Sequence, residues 1–409
     1  MNYYAGIDVF LEASSICVVD ASGKIIKEAK VLSEPEALIA WFQALPFTLA
    51  RIGLEAGPLS QWLYAGLKDA GFAAELLETR HVRDAFKAMP VKTDRNDARG
   101  IAQLMRLGWF RPVHCKSAPA QETRALLTAR KLVQAKLYDV QMSLRGILRG
   151  FGLKVGRTTP VGFAVRIREL TEHHPALSAI GKALLAVHEV LLRELNGFEK
   201  QVRKQARCDS RVRLVMTAPG VGAIVGLTYV AAIDDPERFS SSKTVGAHFG
   251  MTPKKYQSGE TDVTGRISKS GDKGVRTVLY EAAHIILTMP VKGGALKSWA
   301  ARLAKRAGMQ KAKVALARKL AVILHRMLAG GATFDVSGPA RSTMAPCSQP
   351  STPLRAAYGG GLRPVLTATA RGAFQNSDRD GETPFNRTKK LFAASCGPKG
   401  EALDGFRAG

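Results

Sequence analysis

The chain has 409 residues, of which 60 are Lys or Arg and 34 are Asp or Glu, so its formal net charge is +26. This length predicts two to three domains, and a hydrophobic fraction of 46% is enough for hydrophobic cores. The five cysteines are far apart and form no Cys-x-x-Cys pair, which argues against a zinc ribbon or a disulfide framework and favours a reducing, cytoplasmic compartment.

The first 107 residues predict an alternation of strands and helices. Apolar alternation indicates three strands, followed in turn by a helix, a strand, a helix, a strand and a last helix. Ser33 is the predicted N-cap of the first helix, with Pro35 in its first turn. The strands are predicted at 3–9, 15–20, 25–31, 51–55 and 73–77, and the helices at 34–45, 61–70 and 94–107.

Four carboxylates occupy particular places in this order. Asp8 lies in the first strand, Glu55 ends the fourth strand, and Asp94 and Asp97 begin the last helix. The order of elements is that of the RNase H fold, which carries carboxylates at these places and holds two divalent cations on a phosphodiester. An alternative for Asp94 and Asp97 is that they stabilise the positive end of the helix dipole, with Thr93 as N-cap.

The middle of the chain predicts two long helices, at 120–150 and 180–205. Their apolar residues follow the spacing of a coiled-coil seam, which either an antiparallel hairpin or a dimer would satisfy. The segment 150–175 breaks this pattern, and His188 in the second seam is interpreted as a packed histidine. From the hydropathy pattern we expect no transmembrane helix, and from the first residues we expect no signal peptide.

The positive charge lies almost entirely outside the first 100 residues. Residues 1–100 contain 11 basic and 13 acidic residues, so the rest of the chain carries the whole excess. Such an excess predicts a polyanionic partner, and nucleic acid is the obvious one, with strongly salt-dependent binding.

Two segments of the second half carry possible phosphate contacts. Pro219-Gly220-Val221-Gly222 joins two helical runs, as in a helix-hairpin-helix whose backbone N–H groups grip a phosphate, although any tight helix–helix turn reads the same way. The stretch 249–276 is polar, Gly-rich and basic, and such loops often carry function. Ser258 within it is either functional or a plain turn serine. The predicted nucleic-acid-binding residues are Gly220, Gly222, Lys254, Lys255, Arg266, Lys269, Lys273 and Arg276.

A predicted amphipathic helix at 313–328 closes this region. Beyond Ser337 the composition changes to Gly, Pro, Ser, Thr and Arg without a sustained period. We interpret residues 338–409 as a disordered basic tail.

With these residues in view, the chain resembles the insertion sequence 110 family of DEDD transposases. The Gly-Ile-Asp opening, Leu-Glu-Ala-Gly and Lys-Thr-Asp-Arg-Asn-Asp-Ala are similar to the RuvC-like half of that family. Ala-Pro-Gly-Val-Gly, Phe-Gly-Met-Thr-Pro, Gln-Ser-Gly-Glu and Gly-Arg-Ile-Ser-Lys-Ser-Gly-Asp are similar to its C-terminal half. The resemblance spans roughly residues 3–330. The chain departs from the family pattern at Phe10-Leu11 and at Gln257-Ser258-Gly259-Glu260.

The sequence patterns and the resemblance together predict an α/β plus α architecture in four parts, of which the tail has no counterpart in the family. These are an RNase H-like (RuvC-like) domain at 1–118, a helical coiled-coil hairpin at 119–209, a mainly helical transposase domain at 210–337 and the tail at 338–409.

The resemblance also implies a chemistry. The enzyme would be a DNA recombinase guided by an RNA encoded in the element, and it would work as a homo-oligomer. Asp8, Glu55, Asp94 and Asp97 would hold Mg²⁺ or Mn²⁺, and Ser258 would form a covalent link to DNA, with Ser268 and Ser270 as alternative nucleophiles. The rival hypotheses are a metal-only nuclease of the junction-resolvase type and a non-catalytic nucleic-acid-binding protein.

Overall fold

The computed structural model describes residues 1–87, 91–291 and 293–335. The predicted tail at 338–409 lies outside the described residues.

The N-terminal part is built on a mixed five-stranded sheet with the order β3-β2-β1-β4-β5. Strand β2 is antiparallel to both β1 and β3, whereas β4 and β5 run parallel to β1. Along the chain, the strands follow the order predicted for an RNase H-like domain. The strands are β1 (Tyr3–Asp8), β2 (Ala13–Val19), β3 (Ile25–Leu32), β4 (Leu49–Glu55) and β5 (Ala74–Leu77).

Four helices accompany this sheet, and three of them were predicted. The described helices are α1 (Pro35–Gln43), α2 (Ser60–Asp69), α3 (Thr79–Phe86) and α4 (Asp94–Leu107). The prediction of Ser33 as an N-cap is wrong, because Glu34 occupies that position. The Ser33 hydroxyl instead forms a 2.7 Å hydrogen bond with the hydroxyl of Ser14, and both side chains are buried.

Two long helices follow, α5 (Ala118–Arg149) and α7 (Pro175–Cys208), with the unpredicted α6 (Pro160–Thr171) between them. Arg130 contacts Glu199 at 2.7 Å, and Gln141 contacts His188 at 3.0 Å. Contacts thus advance along α5 as they retreat along α7, so the two helices form an antiparallel hairpin within one chain. His188 is 2% exposed and packs on Phe163, as a packed histidine should. Coiled-coil geometry of the seam stays a prediction.

The expectation that no apolar stretch of the chain has transmembrane length is wrong. By length and composition, α7 is apolar enough to cross a membrane, and 22% of its most apolar window is buried. Lys182 and Glu189 are widely enough spaced to leave that window apolar. A helix that packs along a soluble hairpin satisfies the same test, so α7 by itself does not indicate a membrane protein.

The C-terminal part is a helical layer around one large core. The buried α9 (Ala223–Ile233) packs against α11 (Lys273–Thr288) and α5, and the Tyr229 hydroxyl donates to the carbonyl of Ala321 at 2.5 Å. The remaining helices are α8 (Ser210–Val215), α10 (Val245–His248), α12 (Gly294–Ala307) and α13 (Met309–Gly330).

Two strands interrupt these helices where we predicted a loop. β6 (Pro253–Ser258) pairs with β7 (Thr261–Ile267) to form an antiparallel two-stranded ribbon. Every residue of the ribbon is exposed except Ile267, which is half-buried. A strand exposed on both faces has no buried alternation, and this explains why its sequence did not predict it.

Candidate active site

A short sequence pattern, Gly-apolar-acid, occurs at the ends of two neighbouring strands. It reads Gly6-Ile7-Asp8 in β1 and Gly53-Leu54-Glu55 in β4. The two strands are parallel and in register, with Gly6 opposite Gly53 and Ile7 opposite Leu54. Ile7 and Leu54 are fully buried in one core. Because side chains alternate along a strand, both carboxylates lie on the other face, next to each other.

Helix α4 covers that other face at very short range. A Cβ on Gly6 would come within 2.3 Å of the Ala98 carbonyl oxygen, and a Cβ on Gly53 within 2.5 Å of the Met105 sulfur. Only glycine permits such an approach of helix to strand. The helix can therefore lie directly on the strand positions that precede the two carboxylates.

The first turn of α4 carries the other two carboxylates. Asp94 is one turn ahead of Ala98, on the same side of the helix, so the packing at Gly6 carries that turn towards Asp8. Thr93 is the N-cap, as predicted, and its hydroxyl accepts from the Asn96 N–H at 3.2 Å. Asp97 is half-buried and Asp94 is exposed.

The electrostatics show that the four charges interact. Burial raises the pKa of Asp8 to about 6, and the charges of Asp97, Asp94 and Glu55 contribute to this rise, while Lys92 opposes it. Burial also raises the pKa of Glu55, and Asp97 adds to it. A cluster of like charges that disfavours its own ionised form gains stability from a cation.

The donor chemistry fits a hard divalent cation such as Mg²⁺ or Mn²⁺, since all four side chains offer carboxylate oxygens. However, no group of three or more His, Cys, Asp or Glu side chains in the described part of the chain has the geometry to hold a metal ion. The carboxylates therefore interact through their charges without forming a completed ligand set, and the metal site stays a prediction.

Glu28 in β3 holds α4 in place from outside the carboxylate cluster. Its carboxylate accepts from Arg99 Nε at 2.6 Å and from Arg95 Nε at 2.8 Å. Hydrogen bonds from Arg99 and then Arg95 lower its pKa to about 2. Both arginines lie in the first half of α4, so this pairing fixes the end of the helix that carries Asp94 and Asp97.

We expect Glu28→Gln to lower the free energy of unfolding at neutral pH by about 1 kcal/mol, because the pairing is partly screened by solvent. The folded-state pKa lies below the ordinary value of 4.5, so the stabilisation is complete above that value and is lost as pH falls towards the folded-state pKa. Urea unfolding from about pH 7 down to about pH 3 should show the difference between variant and wild type shrinking. Glu12→Gln, an exposed glutamate in the turn before β2, is the matched control. A difference that grows on acidification would contradict the pairing.

Ser258 is the last residue of β6, at the tip of the ribbon, and it is exposed. Ser258 pairs with Thr261 across a turn in which Gly259 has a φ of 55°. The alternative serines lie at the base of the ribbon, where the hydroxyls of Ser268 and Ser270 are 2.9 Å apart. Sequence reasoning could not separate these candidates, whereas the fold places only Ser258 at a projecting tip.

The ribbon is anchored to the rest of the domain at its base. Gly250 has a φ of 65°, and a Cβ there would lie 2.1 Å from the Ser270 carbonyl oxygen. The Arg276 guanidinium donates to the carbonyls of Phe249, Ser270 and Gly271 at 3.1, 2.7 and 3.0 Å. Arg276 thus has a structural task, and its predicted contact with nucleic acid stays a prediction.

The other predicted nucleic-acid-binding residues lie in three settings. Lys255 forms an ion pair with Asp262 at 3.1 Å. Gly220, with a φ of 74°, packs on α11, and Gly222 is the exposed N-cap of α9. The exposed cations are Lys254, Arg266, Lys269 and Lys273.

One residue that the sequence did not single out, Asp234, joins the two halves of the chain by hydrogen bonds. Asp234, with a φ of 63°, accepts from the Ser117 N–H and pairs with His114 Nε2, both at 2.8 Å. Burial lowers the pKa of Arg276 and the charge of Arg80 in α3 lowers it further, although Asp272 opposes. The base of the ribbon therefore lies within electrostatic range of the helix that begins just after the carboxylate-bearing sheet. Contacts between residues this distant in sequence leave no local signal.

Each half of the chain matches a model of a known protein family. A model of DEDD transposases of IS110 matches residues 5–152, and the model described as "Transposase IS116/IS110/IS902 family" matches residues 212–296.

Individual relatives carry names of the same kind. The transposase for insertion sequence element IS1111A of Coxiella burnetii is 28% identical over 346 residues, which are 80% of this chain and 90% of that protein. A probable family 20 transposase of Pseudomonas aeruginosa is 27% identical over 70% of this chain and 86% of its own length. Among solved structures, Thermus RuvC ("T. thermophilus RuvC in complex with Holliday junction substrate") aligns with 28% of this chain and 100% of its own, at 14% identity and a TM-score of 0.22.

Proposed function

Because this chain belongs to the IS110 family of transposases, which are enzymes that cut and rejoin DNA, we propose that it does so with two cooperating groups. One is the carboxylate cluster of the N-terminal sheet, and the other is the serine at the tip of the ribbon. Membership of the DEDD class implies dependence on a divalent metal, and Mg²⁺ is the proposed ion.

Asp8, Glu55, Asp94 and Asp97 are the residues proposed to hold the metal. The single observation that carries this is that Asp8 and Glu55 end two parallel strands in register, with α4 packed directly on the glycines that precede them. In agreement, burial and the three neighbouring carboxylates raise the pKa of Asp8 to about 6. When bound, a divalent cation would neutralise charge on the phosphate and promote deprotonation of a nucleophile. By holding the cation, the carboxylates would set the place where a phosphate can bind, at the carboxyl ends of β1 and β4.

Ser258 is the proposed nucleophile. Its Oγ would attack the phosphorus, the bond to the 3′ oxygen would break, and the serine proton would end on the leaving 3′-hydroxyl. The product is a phosphoserine ester that keeps one phosphodiester bond for rejoining, so no external energy source is needed. Since Ser258 is exposed, the ribbon tip is free to meet a carboxylate cluster, either its own or that of a second subunit.

A metal-only nuclease remains the second candidate, because the carboxylate cluster alone could support hydrolysis. A non-catalytic binding protein would need the basic helices but not the carboxylates. Strand cleavage by Asp8→Asn and Ser258→Ala variants tests the two halves of the proposal separately.

DNA and an element-encoded guide RNA are the proposed partners, and the basic body of the chain supports both. Guiding by base pairing would leave the protein to grip backbones. A homo-oligomer, a cytoplasmic location and the domain bounds 1–118, 119–209 and 210–337 belong to the same proposal.

A stripe of cations on α7 is suited to backbone contact. Lys200, Arg203, Lys204 and Arg207 are exposed, and none of them takes part in an ion pair within the described part of the chain. Their spacing of three and four residues keeps neighbouring members together on the helix surface.

We expect the triple variant Lys200→Ala/Arg203→Ala/Lys204→Ala to bind DNA and RNA more weakly than the wild type, whatever their nucleotide sequence. Each lost phosphate contact should reduce the slope of log affinity against log salt by about 0.9 on duplex DNA. Fluorescence anisotropy across a salt series measures this. Lys136→Ala removes a lysine already paired with Asp139 at 3.3 Å and should change the slope less. An unchanged slope in the triple variant would place the binding surface elsewhere.

A further inference from the structure

The ribbon has two chemically different faces. Alternation along β6 puts Lys254, Tyr256 and Ser258 on one face and Lys255 and Gln257 on the other. Val263 lies directly opposite Tyr256, and Thr261 opposite Ser258. The serine therefore shares its face with an aromatic ring and a lysine.

The opposite face neutralises its own charge. Lys255 pairs with Asp262 at 3.1 Å across the two strands. In the described chain no ion pair involves Lys254, so the serine face carries a positive charge that is available to a ligand.

The serine face also exposes apolar surface. Tyr256 is 66% exposed and Val263 is 55% exposed. The two side chains pack on each other across the strands, but more than half of each remains exposed, so a ligand that covers them would bury further apolar surface.

We propose that Tyr256 stacks on an unpaired base beside the phosphate that Ser258 attacks. This rests on the proposed function of Ser258. Residues two apart in a strand are separated by about 7 Å, so a ring at Tyr256 would meet the nucleotide that flanks the phosphate at Ser258. Stacking on tyrosine tolerates any base sequence, as an enzyme that leaves sequence reading to base pairing requires.

Charge favours nucleic acid over a protein as the occupant. Lys254 stands two residues from Tyr256 on the same face, and a cation next to an exposed aromatic suits a phosphate next to a base.

The direct test is photo-cross-linking of the full-length protein to single-stranded DNA that contains one 5-iodouracil, followed by mass spectrometry of the linked peptides. We expect a cross-link at Tyr256 that is lost in Tyr256→Leu and retained in Gln257→Ala, the matched change on the opposite face. Affinity for the same DNA should fall about 5- to 150-fold in Tyr256→Ala, the effect of losing one stacked base. Tyr256→Phe keeps the ring and should bind like the wild type.

Three outcomes would overturn the proposal: cross-links only at other residues, unchanged affinity in Tyr256→Ala, or a smaller assembly in sedimentation of Tyr256→Ala with its DNA affinity intact. The last would assign the face to a protein contact. The cross-link should persist in Ser258→Ala, because stacking does not need the hydroxyl. The two proposals can therefore fail separately. Cleavage by Ser258→Ala would refute the role of Ser258 as nucleophile, whereas absence of the Tyr256 cross-link in the wild type would refute only the stacking role of Tyr256.

Discussion

Replacing Asp8 with Asn is expected to reduce strand cleavage by about 10³-fold or more without unfolding the protein. Stabilisation of transition-state charge by a bound metal amounts to several kcal/mol, and each 1.36 kcal/mol is a factor of ten in rate. Asn keeps the size of the side chain but removes the charge that a cation needs. Cleavage of DNA that carries the element's ends, with Mg²⁺ present, measures the effect.

The same substitution should leave the thermal midpoint unchanged or raise it. Burial and three carboxylates disfavour the ionised form of Asp8, so the charge destabilises the metal-free fold at neutral pH. Asp69→Asn, at an exposed position in α2, is the matched control and should cut normally. Cleavage that withstands both Asp8→Asn and EDTA would exclude the carboxylate site, whereas a lowered thermal midpoint would mean that Asp8 is structural.

Sequence patterns predicted the N-terminal domain well because its strands and helices are buried on one side. The helix at 94–107 was predicted to the residue, and its cap at Thr93 is confirmed. The bounds of this helix and its N-cap both depend on residues that are close together in the sequence. The close approach of α4 to Gly6 and Gly53 was not predicted. It depends on the absence of a Cβ at each glycine, and the part of the helix that each one faces is about 90 residues away from Gly6 and about 50 residues away from Gly53 in sequence.

The site was harder to predict where it depends on distant contacts. Ser258 was recognised from its motif, but nothing in the sequence showed that it ends a strand. Asp234 joins Ser117 across 117 residues, and the charge of Arg80 in α3 lowers the pKa of Arg276. Both effects belong to tertiary structure alone.

Replacing Ser258 with Ala is expected to abolish both cleavage and any covalent link between protein and DNA. Loss of a nucleophile typically costs a factor on the order of 10⁶ in turnover. The side chain is exposed at a ribbon tip, so removing its hydroxyl should not change folding or DNA binding. Denaturing the reaction early and digesting the protein should show DNA attached to the peptide that contains Ser258 in the wild type only.

Ser268→Ala and Ser270→Ala are the matched controls for this experiment. Their hydroxyls bond to each other at the ribbon base, so a structural role predicts modest loss of activity with the adduct still on Ser258. An adduct that moves to either residue would reassign the nucleophile.

Activation of Ser258 has to come from outside the ribbon, because a serine hydroxyl is a poor nucleophile without a base or a metal. We propose that this activation comes from the metal held by the carboxylates in the other half of the chain. Because neither group could then work without the other, the two should act as one unit. We therefore expect Asp8→Asn and Ser258→Ala to be no worse together than apart, as for groups that share one step. Mixing the two single variants distinguishes how they meet: recovered cleavage would show that serine and carboxylates come from different subunits. Wild-type cleavage by Ser258→Ala with no adduct would instead leave a metal-only nuclease.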